Sequence, residues 1–150
     1  LGIFRLGEME PLLEAAVCSL QVGQVGGPVE TALGFHVVRR EEVRRLNIHH
    51  LLVSYQDAVL ADASVQRDRP EASRVAHALR RKLSQHQADL CELAARFSDD
   101  EGNRQQCGEL GWVVPGMLEP EVEKAVFSLQ PGEVSQVVES EYGFHIFWRD

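Results

Sequence analysis

Two histidines stand in stretches that read as strands. His50 lies in the short apolar run Ile48-His49-His50-Leu51-Leu52-Val53, and His145 lies in Gly143-Phe144-His145-Ile146. An imidazole can move a proton, ligate a metal or fix a hydrogen-bond network. Asp100 closes the segment Phe97-Ser98-Asp99-Asp100, where an acid ends a helix or polarises a cleft. The three cysteines, Cys18, Cys91 and Cys107, are odd in number and lack metal-ligand spacing, so neither a zinc site nor a closed disulfide framework is expected. Cys18 and Cys91 sit at apolar helix positions and are expected as buried thiols. No nucleophile, metal or nucleotide motif is present, and no cofactor is expected. Acidic residues outnumber basic ones 23 to 15, a formal charge of −8 that offers no footprint for nucleic acid or an anionic membrane surface. No apolar run approaches the roughly 20 residues of a membrane span, and the first residues show neither a basic n-region nor an apolar h-region. Because the first residue is Leu1 and not methionine, a fragment of something longer is expected.

The elements that must position these residues emerge from an internal repeat. Leu1 aligns on Leu110, an offset of 109 residues, and the match runs without gaps to Arg40 on Arg149 with nearly half the positions identical. Glu10-Pro11 falls on Glu119-Pro120, and Gly34-Phe35-His36 falls on Gly143-Phe144-His145. Two copies of one half-unit therefore bracket a unique segment. The expected organisation is a truncated first unit over residues 1–42, a charged linker at 43–45, and a complete unit over 46–150.

Within the complete unit, the run Ile48 to Val53 reads as a buried strand with His50 on the face of Ile48 and Leu52, and His49 on the other. Asp68 and Glu71 form a capping box ahead of Ala72, Val75, Ala76, Leu79 and Leu83, which predicts a long amphipathic helix to about His86, with His77 and His86 on its surface. Asp89 and Glu92 repeat the arrangement before a shorter helix. Leu110 to Val114 reads as a strand, Glu119 to Leu129 as a helix stopped by Pro131-Gly132, and Glu133 to Glu139 with Gly143 to Trp148 as a hairpin. Strand, helices, strand, helix and hairpin in that order make an α+β fold with a mainly antiparallel sheet.

Four blocks then give a resemblance: Ile48-His49-His50-Leu51-Leu52-Val53, Leu93-Ala94-Ala95-Arg96-Phe97-Ser98-Asp99-Asp100, Cys107-Gly108-Glu109-Leu110-Gly111-Trp112, and Pro131-Gly132-Glu133-Val134 with Gly143-Phe144-His145-Ile146. In order and spacing they resemble the parvulins, in particular the rotamase domains of bacterial periplasmic and cell-surface folding factors. The resemblance implies a four-stranded sheet surrounded by about four helices, and peptidyl-prolyl cis/trans isomerase activity on proline-containing unfolded or nascent chains. It implies His50, His145, Asp100 and Ser140 as the catalytic set, the two histidines sharing a hydrogen bond. It implies Leu110, Leu118, Val122 and Phe144 as the proline pocket. Leu118 replaces a usual methionine, Val122 a usual phenylalanine that would grip the ring better, and Cys107 a usual glycine.

Ser54-Tyr55-Gln56-Asp57 after the first strand brings no Lys or Arg cluster, so selectivity for phosphorylated Ser/Thr-Pro is not expected. The truncated unit keeps His36 but lacks a first strand to bring a partner histidine, and is expected to be inactive. Family habit points outside the cytoplasm, whereas unpaired cysteines lean toward it. A non-catalytic chaperone module that holds unfolded chains is the alternative function, and a structural spacer a third.

Overall fold

Helix starts follow from side chains that replace missing backbone partners. In the computed structural model, which describes residues 2–150, Asp68 accepts the Glu71 N–H at 2.7 Å and Asp89 accepts the Glu92 N–H at 3.1 Å. Leu1, where the repeat alignment begins, lies outside the described residues. The chain divides into two compact units, the first ending at Arg44 and the second running from Arg45 to Asp150.

The first unit comprises α1 (Pro11–Ser19) and the antiparallel pair β1 (Val25–Thr31) and β2 (Gly34–Arg39) around buried Leu13, Leu20 and Val38. In the second, β3 (Leu46–Val53) leads to α2 (Arg69–Ser84), α3 (Leu90–Phe97) and a short 3-10 turn at Arg104–Gln106. β4 (Glu109–Val113), α4 (Pro120–Ser128), β5 (Val138–Ser140) and β6 (Gly143–Arg149) follow. The sheet order is β4-β3-β6-β5, with every neighbouring pair antiparallel. The α+β architecture with a four-stranded antiparallel sheet is as expected. Among the described residues no helix is long and apolar enough to cross a membrane.

Register decides which side chains share a face. His50 pairs with Phe147 and Leu52 with His145, whereas Leu51 pairs with Ile146 and Val53 with Phe144. One face therefore packs Leu51, Val53, Phe144 and Ile146 against Ala72, Ala76, Leu79 and Leu83 of α2. The other packs Leu46, Ile48 and Phe147 against Val122, Val126 and Leu129 of α4. Each fully buried Leu, Ile, Val or Phe contributes roughly 1.5–3 kcal/mol, so both faces are held firmly and the histidine face is fixed with them.

Two expectations fail. The strand over Glu133 to Glu139 is broken: Ser135 Oγ accepts the Phe147 N–H at 2.9 Å, a side chain doing the ladder's work, and regular pairing resumes only at Val138. The cysteines also differ. Cys91 and Cys107 form a disulfide across 4.0 Å between Cα atoms, and Cys18 is an exposed free thiol. Sequence spacing does not reveal that the loop after α3 returns to that helix's first turn. Cys107 has a left-handed backbone, φ 57°, a conformation that glycine adopts at no cost and that explains the glycine usual there.

The repeat extends to single hydrogen bonds. Gly7 N–H donates to Glu14 Oε2 as Gly116 N–H does to Glu123 Oε2. Arg40 Nη1 donates to the Leu20 carbonyl as Arg149 Nη1 does to that of Leu129.

Candidate active site

β4 pairs with β3 only as far as His49, and the loop after α3 takes over the remaining edge. The His50 N–H donates to the Gly108 carbonyl at 2.7 Å, the Leu52 N–H to Ser98 Oγ at 3.2 Å, and the Ser54 N–H to Asp99 Oδ2 at 2.8 Å. The Asp99 N–H donates to the Leu52 carbonyl at 2.8 Å. Stitched in this way, the loop sets Asp100 beside His50. Gly108 is required where it stands: with φ 72°, an added Cβ would meet the His50 carbonyl oxygen at 1.9 Å.

His50 Nε2 lies 2.8 Å from Asp100 Oδ2, and Asn103 Nδ2 lies 2.9 Å from the same oxygen. His145 Nε2 lies 2.7 Å from Ser140 Oγ, which also accepts the Tyr142 N–H at 3.1 Å. The predicted hydrogen bond between the histidines is not formed. Their rings stack instead, centroids 5.7 Å apart, and Phe147 stacks on His145 at 5.7 Å and on His50 at 6.0 Å. Facing side by side from paired strands, the imidazoles meet ring to ring and send their nitrogens to separate partners. His145 Nδ1 is buried with no partner among the described residues. Burial pushes the His145 imidazole down to about 4, and nearby His50 adds to the effect. Burial also lowers His50, against the opposing pull of Asp100. Both are neutral near pH 7. The arrangement is a buried pair of neutral, hydrogen-bonded imidazoles with one partly exposed carboxylate at its edge.

Two of the four expected pocket residues, Val122 and Leu118, lie on the histidine side of the sheet. Val122 is buried, Leu118 packs partly against it, and Leu110 on β4 is 36% exposed. Phe144 does not join them. It lies next to His145 on β6, so strand alternation turns it to the opposite face, against α2 and Tyr55. An open groove of about 480 Å³ runs between α4 and β5 past Lys124, Ser128 and Glu139; neither histidine lines it, although Val138, which does, pairs with His145. Two arginines follow β3, but each is neutralised: Arg67 pairs with Asp99, and Arg69 makes two bonds to Glu139.

The model of the PPIC-type peptidyl-prolyl isomerase (PPIase) domain, the rotamase family, matches residues 1–42 and 50–150. The chain belongs to that family. Among curated relatives, Chaperone SurA of Polaromonas sp. (strain JS666) is 31% identical over 148 residues, covering 97% of this chain and 31% of that protein. Chaperone SurA of Ralstonia nicotianae is 34% identical over 158 residues, covering 97% and 30%. The chain thus spans about a third of the length of these relatives. Of solved structures, the peptidyl-prolyl isomerase ESS1 from Candida albicans aligns with a TM-score of 0.65 at 27% identity, over 70% of this chain and 62% of that one. Peptidylprolyl isomerase PrsA from Bacillus cereus aligns at 0.57 and 28% identity, over 71% and 34%.

Within this rotamase domain, sequence reasoning missed Asn103, Phe147 and the disulfide. Alternation two residues on from His145 marks Phe147 for the same face. Asn103 carries no signal in sequence, because only the turn after Asp100 brings its amide back to His50.

Proposed function

We propose that this chain accelerates cis/trans isomerisation of X-Pro bonds in unfolded or nascent polypeptides. The observation that carries the reading is the His50–Asp100 contact beside stacked His145, on the sheet face shared with Leu118 and Val122. Unaided rotation must overcome roughly 18–20 kcal/mol of amide resonance. No bond is made or broken, so the protein has only to favour the twisted imide, in which the nitrogen loses conjugation. Leu110, Leu118 and Val122 desolvate the proline ring, and the buried neutral histidines keep water from the site. Asp100 supplies a negative potential against the substrate carbonyl and disfavours the planar, charge-separated amide. Ser140 fixes the His145 ring. The complete unit is the active one; the first keeps His36, bonded to Thr31 Oγ1 at 2.7 Å, without the strand that carries His50.

Pairing of Arg67 and Arg69 with carboxylates supports a preference for unmodified over phosphorylated Ser/Thr-Pro. A disulfide between Cys91 and Cys107 supports an oxidising, extracytoplasmic location. A holding function without turnover is favoured by one observation, the small side chain of Val122 where an aromatic would grip proline. Refolding of a protein whose slow phase is proline-limited separates the two. Catalytic, sub-stoichiometric amounts of the chain are expected to speed that phase; suppression of aggregation at stoichiometric amounts with the slow phase unchanged would favour holding.

A further inference from the structure

Asn103 closes a triangle of polar atoms. Its Nδ2 lies 2.9 Å from Asp100 Oδ2 and 3.0 Å from His50 Nε2, and those two atoms are 2.8 Å apart. An amide nitrogen only donates, so the contact with Oδ2 is a hydrogen bond whatever the imidazole does. His50 Nε2 holds either a hydrogen or a lone pair in the ring plane. With the hydrogen it donates to Asp100, and both short contacts to Oδ2 are satisfied. With the lone pair it would lie 2.8 Å from a carboxylate oxygen with no proton between them. Turning the amide over would set Asn103 Oδ1 against Oδ2, two acceptors in contact.

The orientation carries a cost. Asn103 Oδ1 is buried and has no partner among the described residues, as is true also of Asn47 Oδ1 and His145 Nδ1. Backbone contacts hold the residue there: its carbonyl accepts the Gln106 N–H at 2.8 Å and the Gly108 N–H at 2.9 Å. That turn leads directly to the Gly108 carbonyl that receives the His50 N–H.

We propose that Asn103 is a positioning residue: by donating to Asp100 Oδ2 it aims that carboxylate at His50 and so holds the imidazole proton on Nε2. His50 Nδ1 is then left as an acceptor. Only the effect on rate rests on the isomerase reading; the control of the tautomer rests on the triangle itself.

The test is a long-range proton–nitrogen NMR spectrum of His50 in the 150-residue chain, at pH 7.5, for the wild type, Asn103→Ala and the near-isosteric Asn103→Leu. Wild type is expected to show the Nε2–H tautomer alone. Both variants lose the donor, Asn103→Leu while keeping the shape and adding neither charge nor acceptor, and both are expected to lose that single tautomer and to slow catalysed proline isomerisation about threefold to tenfold. An Nδ1–H tautomer in the wild type, or an unchanged Nε2–H tautomer in a folded variant, would overturn the proposal. Tautomer control without any isomerisation by the wild type would sink the isomerase reading and leave Asn103 in its role.

Discussion

His145 is the most heavily perturbed residue of the site, and its burial has a consequence that can be measured. Its ordinary value of 6.5 holds in the unfolded chain, and it falls to about 4 in the folded one. Between those values the unfolded state binds more protons, so stability is full above about pH 6.5 and is lost as pH falls toward 4. The shift corresponds to about 3 kcal/mol. Urea denaturation between pH 7.5 and 4 is expected to show a loss of that order, and His145→Gln is expected to flatten much of the slope. The resemblance implies His50, Asp100 and Ser140 together with His145, and the fold brings His50 to Asp100 and Ser140 to His145. It also implies Phe144, but strand alternation turns this neighbour of His145 to the α2 face. Asn103 was invisible, since its role depends on a turn and not on its type.

At the scale of elements, the loop between α3 and β4 does the positioning. It carries Asp100, Asn103 and the Gly108 carbonyl, and the disulfide ties it to α3. The bridge closes a 16-residue separation, for which the chain-entropy effect is about 3 kcal/mol. The paired Cys91→Ser, Cys107→Ser variant is therefore expected to lose stability of that order by urea denaturation, with a weakened His50–Asp100 contact seen as a shift in His50 titration by NMR. An unchanged titration would show that the stitching along β3 holds the loop by itself. Capping boxes made α2 and α3 readable, because their signals are local. The disulfide and the broken strand at Ser135 were not, because each joins residues through the folded backbone.

At the scale of the molecule, one half-unit occurs twice with different surroundings. Phe144 and Ile146 are 6% and 1% exposed, whereas their repeat counterparts Phe35 and Val37 are 73% and 71% exposed. The shared Gly-Phe-His opens both strands, and in the second unit β3 and α2 cover Phe144 and Ile146. His36 and His145 each contact a hydroxyl at the equivalent repeat position, Thr31 and Ser140, and His145 also stacks on His50. His36→Ala is expected to leave isomerase activity within about twofold of the wild type, against a loss of about tenfold or more for His145→Ala, the two variants being compared at matched folding.

Magnetisation exchange between the cis and trans forms of an unphosphorylated X-Pro peptide tests the central claim most directly. With sub-stoichiometric chain, exchange is expected to rise from its unaided time of tens to hundreds of seconds into the range of seconds or faster, and to fall back in Asp100→Ala and His50→Ala. No exchange above the unaided rate from the folded wild-type chain, or equal exchange in all three proteins, would contradict the account.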